Sequence, residues 1–366
     1  MGMRFKADGV KQYVAKYYTS CGADAEWARK AAEVIVTSDL FDIQTHGIER
    51  MKDYHQAVLD GKLVPSAKPE MIQETPVSAL VDGHEGLGHA LAVWCMELAI
   101  KKAKTSGVGI VSLRNSNHYG FAGYYPLMAI REHLIGFSVT NTEGLMVPTG
   151  SKEPLLGSNP IAFGMYAEPY PFLLDMSTTV VPGGKLSLYT RDGKKLLPGC
   201  GLDTEGKPTV EPAEVRAGIN SKRFGGILPL GGLGEDYGGH KGYGLAMMVE
   251  ILSSIIAGTN TSNNIRRFDK HDRNGEFFVA MDYSLFGDPV EMEKNLSMYM
   301  ETLRNSERFD AATPIYTHGQ KQFESAKRNA EQGIFVREST YQEQLEVARA
   351  AGFDAVPYFT LVESDS

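Results

Sequence analysis

Cysteine is scarce in this sequence, and long apolar runs and blocks of positive charge are missing from it. The three cysteines among 366 residues, Cys21, Cys95 and Cys200, stand far apart and form no CxxC pair. That excludes a disulfide-stapled scaffold and leaves no cysteine metal site, so all three are expected to be reduced. No window reaches the ~18 continuous apolar residues of a membrane span, and residues 1–16 lack the apolar core of a signal peptide. Met1-Gly2 is no myristoylation signal either, because Lys6 stands where Ser or Thr is wanted. A cytoplasmic protein is expected. Lysine and arginine number 37 against 45 acidic residues, for a formal net charge of -8, and nowhere do they cluster. Neither nucleic acid nor a membrane is an expected partner.

Several motifs are absent by a narrow margin. Gly86-Leu87-Gly88, Gly199-Cys200-Gly201, Gly232-Leu233-Gly234 and Gly242-Tyr243-Gly244 all lack the third glycine of GxGxxG, which disfavours a conventional Rossmann fold. The GxxxxGK string from Gly201 to Lys207 is followed by Pro208 rather than the Ser or Thr that would bind magnesium. His84, Glu85 and His89 resemble HExxH, but the second histidine comes one residue late. An i, i+5 pair diverges by ~140° around a helix, so no metal site is expected.

What remains is a globular chain, 42% apolar and 22% charged, long enough for two domains. Helical periodicity covers residues 23–40, 48–59 and 86–105, and an apolar strand follows at 108–113. From Gly136 the pattern turns to short extended runs at 137–140, 161–166 and 172–174. Turns are expected at Arg191-Asp192-Gly193-Lys194 and Thr204-Glu205-Gly206-Lys207. This middle region reads as a β-rich lobe. A helix is expected over 240–256 and a strand over 277–283 that returns to the first domain. Asp288-Pro289-Val290-Glu291 caps a further helix, and Ser339-Thr340-Tyr341-Gln342 reads as a capping box opening the last one, over 340–350. The division implied is 1–125 with 285–366 as one discontinuous domain and 126–284 as the other.

Three clusters carry candidate chemistry. Ser116-Asn117-His118-Tyr119-Gly120 follows the strand 108–113 and precedes an amphipathic segment over 122–133. It places a histidine, the side chain best suited to proton exchange near neutral pH, at a strand-to-helix junction; a backbone-satisfied turn histidine is the plainer alternative. In Thr45-His46-Gly47-Ile48-Glu49-Arg50, His46 and Arg50 would share a face if the stretch is helical. Such a pair suits a 2-oxo acid: the guanidinium grips the carboxylate in a two-point fork and the imidazole serves the carbonyl oxygen. A solvated helix-start pair is the alternative. Third, nine of the twenty residues over 225–244 are glycine, and the run empties into a helix at His240-Lys241. Glycine permits close backbone approach, and a helix N-terminus offers free N–H groups for phosphate, although a flexible loop would look the same. Asp175, ending an apolar strand, could orient a histidine, bind a ribose or merely cap a loop.

Taken together, five strings resemble the malate/L-lactate dehydrogenase family that lacks a Rossmann fold: THGIER (45–50), SNHYG (116–120), PTGSKEPLLGSNPIAFG (148–164), DMST (175–178), and ILPLGG with HKGYGLAMMVEIL (227–232, 240–252). Relatives in that family include ureidoglycolate dehydrogenase, diketogulonate reductase, sulfolactate dehydrogenase and cyclic-imine reductases. The resemblance implies an α/β (α+β) fold with a helical substrate and dimerisation domain and a β-rich cofactor lobe. It implies an oxidoreductase using NAD or NADP, usually a homodimer, acting on a small (S)-2-hydroxy acid such as malate or lactate. Catalysis would fall to His46, His118 and Asp175, and substrate contacts to Thr45, Arg50, Ser116 and Tyr119. Cofactor contacts would fall to Thr142, Asp175, Met176, Ser177, Lys185, His240, Lys241 and Gly319. Where many relatives read Pro-Gly-Glu, this chain has His318-Gly319-Gln320, so the coenzyme phosphate preference stays open. A related substrate at the same site, or dinucleotide binding without turnover, are the competing expectations.

Overall fold

The computed structural model describes residues 2–266 and 271–362; Met1 and the last four residues of the expected first domain lie outside that range. At the centre is a seven-stranded sheet, in the order Glu70–Glu74, Ser78–Asp82, Val108–Ser116, Asn274–Met281, Ile135–Thr140, Ile161–Met165, Phe172–Met176. Ser78–Asp82 and Val108–Ser116 run parallel, and every other neighbouring pair is antiparallel. A parallel pair needs a crossover. The helix Gly88–Ser106 supplies it, stopping at Gly107, whose φ of 82° is a left-handed turn suited to glycine.

Side chains alternate along a strand, so Val111, Leu113, Phe278 and Ala280 share one face. They pack with Leu91, Cys95, Met96 and Ala99 of the crossover helix. The other face carries Val139, Ile161 and Phe277, covered by Val249 and Leu252 of the helical run that starts at Gly239. Each buried leucine or isoleucine contributes about 1.5–3 kcal/mol. A strand covered on both faces reads as an unbroken apolar run, which is why 108–113 shows no alternation. One carboxyl intrudes on the first face: Glu276 is fully buried, and that burial holds it in the neutral form.

A second core gathers the helices Ala7–Ser20, Ala25–Leu40 and Met51–Leu59 with Ile334, Val336, Val347 and Phe359 from the far end of the chain. Strand Gly2–Phe5 pairs with Ile334–Arg337 and ties the two ends together. A third, small core packs the helices Gly183–Arg191 and Pro212–Ser221 on a three-stranded sheet of Gly201–Leu202, Pro208–Thr209 and Gly226–Ile227.

Four local expectations change. The middle region holds two helices besides its short strands. The amphipathic segment 122–133 shortens to a helix over Tyr124–Ile130. The expected helix over 240–256 is α-helical over Gly239–Glu250 and then winds as a π-helix over Ile251–Ile255. The last helix begins at Glu338, with extended Arg337 as its cap; strand Ile334–Arg337 runs straight into it, so Ser339 is already helical and caps nothing. Asp288, by contrast, caps as expected, its Oδ1 accepting the Val290 N–H at 2.9 Å.

Candidate functional site

Strand register decides where the site lies. Ser116 is opposite Asn274, Thr140 is opposite Glu276, and Met176 is opposite Ile161. The ends of three strands therefore reach one edge of the sheet, and Asn117-His118, Thr142 and Asp175-Met176-Ser177 follow from them. Asn117 pins the first of these exits, its Nδ2 donating to the carbonyls of Glu85 at 2.7 Å and Gly86 at 3.1 Å.

The stretch 45–50 approaches the same edge from the N-terminal helices. The rings of His46 and His118 stack with centroids 5.5 Å apart and planes at 27°. His46 and Arg50 do not share a helical face. Gly47, at φ -90° and ψ -149°, separates two single turns, Gln44–His46 and Ile48–Arg50. Buried Asp39 fixes that break: its Oδ2 accepts the Ile48 N–H at 2.9 Å, and a Cβ on Gly47 would fall 1.9 Å from its Oδ1. Burial pushes the Asp39 carboxyl up to about 8. The break turns His46 toward His118 and leaves Arg50 beside Tyr54, its guanidinium carbon 5.9 Å from the ring centroid. Arg50 Nε is buried and has no hydrogen-bond partner. A guanidinium donor out of water and without an acceptor is costly, so an anionic ligand group is the chemistry it fits.

A third histidine completes the cluster. His89, on the first turn of the crossover helix and 1% exposed, lies 6.1 Å from His118 between ring centroids. Tyr54 Oη stands 2.8 Å from His118 Nδ1 and 3.2 Å from His89 Nε2. Burial first, and the Arg50 charge second, depress all three imidazoles: His46 to about 4, His89 to about 3, and His118 well below its ordinary value. The cluster is neutral at pH 7, and a proton acceptor is available there. Nothing in the sequence marks Tyr54, and His89 stands out there only as half of a zinc pattern that fails by one residue.

The middle of the chain brings up a different set of groups. The Gly239–Glu250 helix opens with Gly238 at φ 83°, and exposed His240 and Lys241 lie in its first turn. Its neighbour Gly242 meets Leu230 so closely that a Cβ would fall 2.3 Å from the Leu230 carbonyl. The helix Gly183–Arg191 opens with Gly183, Gly184 and Lys185, and a Cβ on Gly184 would lie 3.1 Å from Thr45 Cγ2. That contact carries this helix start to His46. Thr142 Oγ1 accepts the Ser158 N–H at 2.9 Å; Thr179 Oγ1 donates to the Val181 carbonyl at 2.8 Å and accepts from Ser177 Oγ at 2.9 Å. Gly319, at φ 94°, opens the helix Gln320–Gln332 beside Leu173.

Against known proteins, residues 5–344 match the family model described as malate/L-lactate dehydrogenase. This chain belongs to the malate/L-lactate dehydrogenase family. It is 39% identical to a malate dehydrogenase of Pyrococcus horikoshii, over 97% of each chain. It is 34% identical to an L-sulfolactate dehydrogenase of Methanocaldococcus jannaschii, over 97% of this chain and 99% of that one. In shape it matches the crystal structure of a malate dehydrogenase from Entamoeba histolytica with a TM-score of 0.92 at 33% identity, covering 96% of this chain and 99% of the other. The chain is thus an oxidoreductase of a nicotinamide-dependent family, with the mixed α/β fold expected.

For a member of this family, the residues present fit a dinucleotide. Two helix starts opened by glycine, each with a lysine in its first turn, offer N–H groups and positive charge to a pyrophosphate. Hydroxyls at Thr142, Ser177 and Thr179 stand along the same edge. Asp175 does not orient a histidine: its Oδ2 accepts the Gly123 N–H at 2.9 Å, and protein crowding pushes its carboxyl up to about 6. Two substrate contacts expected of this dehydrogenase family are corrected. Ser116 is 0% and Tyr119 1% exposed, and the Tyr119 hydroxyl pairs with Ser138 at 3.3 Å inside the core. His118, by contrast, is only part-buried. No group of three or more His, Cys, Asp or Glu is set to hold a metal among the described residues.

Proposed function

We propose that this protein is an NAD(P)-dependent dehydrogenase of small (S)-2-hydroxy acids, with malate and oxaloacetate as the leading pair and lactate and pyruvate next. The observation that carries the reading is the buried, unpaired Nε of Arg50 beside two facing neutral imidazoles. The malate dehydrogenases that the chain resembles put the dicarboxylate first.

In the oxidation direction Arg50 grips the C1 carboxylate and sets C2 against the histidines. His46 takes the hydroxyl proton at Nε2, since its Nδ1 already lies 2.9 Å from Thr45 Oγ1. His118 stabilises the oxygen as it becomes a carbonyl. A nicotinamide held by the residues named below would supply the acceptor for the hydride of C2. Proton transfer of this kind is worth ~100- to 10,000-fold, and fixing the substrate's orientation contributes further. Thr142, Met176, Ser177, Lys185, His240, Lys241 and Gly319, with Asp175 behind them, would hold the dinucleotide. We further propose that residues 1–125 with 285–366 bind the substrate and 126–284 the cofactor, and that the enzyme is a cytoplasmic homodimer.

The test is NADH and NADPH oxidation, assayed separately, with oxaloacetate, pyruvate, a sulfonated 2-oxo acid and a cyclic imine. Oxaloacetate should give the highest kcat/KM. Arg50→Lys should raise KM roughly 10- to 100-fold, because the lost charge-assisted hydrogen bond is worth about 1.5–3 kcal/mol. Full activity in both His46→Ala and His118→Ala would sink the mechanism.

A further inference from the structure

We infer that Tyr54 and His89 fix the tautomer of His118, so that His118 meets the substrate oxygen as an Nε2–H donor while the proton itself is exchanged at His46. The inference rests on the dehydrogenase reading above and assigns its two histidines different work.

Hydrogen-bond directions carry it. The Gly120 N–H points at His118 Nδ1, 3.2 Å away. A backbone N–H can only donate, so Nδ1 presents its lone pair and the ring hydrogen is on Nε2. Tyr54 Oη lies 2.8 Å from the same nitrogen, so its single proton points there. The Tyr54 oxygen is then an acceptor, and His89 Nε2, 3.2 Å away, must be a donor. The order of donation runs from His89 to Tyr54 to His118. Tyr54 is 3% and His89 1% exposed, so water does not compete for these bonds. Gly120 itself sits at φ +85°, and a Cβ there would fall 3.0 Å from His89 Cδ2; the amide keeps its aim because the residue is glycine and His89 is packed beneath it.

The consequence for the reaction is a division of roles. During reduction the substrate oxygen gains negative charge and draws on the Nε2–H of His118, whose hydrogen stays on its nitrogen. In oxidation neutral His46 takes the hydroxyl proton and becomes an imidazolium; in reduction the proton that completes the hydroxyl comes from that imidazolium, which has first taken up a proton from solvent. The titratable and charged groups acting on His118 are Arg50, His46, His89 and Arg266, all cationic when charged, and they favour the unprotonated ring.

Tyr54 and His89 are positioning residues, and a tyrosine merely filling the core would look alike apart from its effect on the tautomer. The direct test is 15N spectroscopy of histidine-labelled protein, with the His118 signals identified by their loss in His118→Asn. Nε2 should read as the protonated, pyrrole-type nitrogen and Nδ1 as the pyridine-type one, and Tyr54→Phe should blur that distinction. Kinetics give the second test. Tyr54→Phe should lower kcat roughly 10- to 100-fold, the usual cost of removing the outer partner that orients a working histidine, with KM nearly unchanged. His89→Gln, whose amide still donates to Tyr54, should stay near wild type, and His89→Leu should fall with Tyr54→Phe. A protonated Nδ1 on His118, an undiminished kcat in Tyr54→Phe, or equal losses in His89→Gln and His89→Leu would overturn the inference. Wild-type protein inert toward every 2-oxo acid would instead remove the dehydrogenase reading, and the spectra would still decide the tautomer.

Discussion

A histidine that removes a proton from an alcohol works only while its ring is neutral. At His46, burial and then Arg50 bring the pKa down to about 4, so the ring stays neutral far below the ~6.5 at which an ordinary histidine is half protonated. Asp175 titrates later, at about 6, because crowding of its carboxyl outweighs the Gly123 hydrogen bond. Its charged form therefore exists above pH 6 and is lost as the pH falls through that value. For oxidation of the hydroxy acid, kcat/KM should be flat from pH 8 to about 7 and break near 6; in Asp175→Asn it should run flat to about 5. A break near 6.5 that survives Asp175→Asn would mean that burial and Arg50 do not hold the histidine base below its ordinary pKa. At this scale the sequence was readable wherever chemistry comes in strings: His46, Arg50 and His118 announce themselves by their neighbours. Asp39 and Tyr54 do not, and His89 shows only as half of a failed zinc pattern, because their roles arise from packing between separate elements: Tyr54 lies 64 residues from His118 and 35 from His89, and Asp39 lies 9 from Ile48.

Elements were legible where one periodicity rules a whole segment. The helices over 23–40, 48–59 and 86–105 and five of the seven sheet strands came out close to their sequence boundaries, since a buried stripe or run is set by the residues themselves; the strands Glu70–Glu74 and Ser78–Asp82 and the helices Ala7–Ser20 and Gln320–Gln332 lie outside the expected segments. Breaks were less so. Whether Gly47 interrupts the helix depends on a carboxylate eight residues earlier that leaves no room for a side chain, and Ser339 loses its capping role only because a strand pairs with the distant N-terminus. The glycine run over 225–244 was ambiguous between a loose loop and a cradle. The structure shows close backbone packing at Gly242, where a Cβ would meet the Leu230 oxygen at 2.3 Å and nitrogen at 2.4 Å. Neither backbone atom can yield without moving the start of the Gly239–Glu250 helix. Gly242→Ala should therefore lower Tm and weaken NADH binding together, even though alanine favours helix over glycine by about 1 kcal/mol. Fluorescence titration and calorimetry check this; an unchanged Kd with raised Tm would mean that propensity wins and that this helix start does not hold the dinucleotide.

The same helical run also bears on assembly. Its inner side, through Ala246, Val249 and Leu252, covers the sheet. Its outer side leaves Met247 and Met248 each 37% exposed, Ile251 46%, Ile255 60% and Ile256 53%. A helix apolar on two sides is at home only where both are covered, and a contiguous exposed apolar strip on one rigid element marks an interface. In a two-fold dimer each such strip meets its own copy. Replacing Ile251 and Ile255 with lysine then removes four isoleucines, at about 1.5–3 kcal/mol each, and sets like charges against one another across the axis. The wild-type protein should run at twice its 40.1 kDa chain mass in light scattering, and the double variant at the single-chain mass. Because the strip lies on the helix that begins at His240 and Lys241, loss of the dimer should also weaken NADH binding. A wild-type protein already monomeric at micromolar concentration would rule out the homodimer, and a double variant that keeps the dimer mass would move the interface to another face.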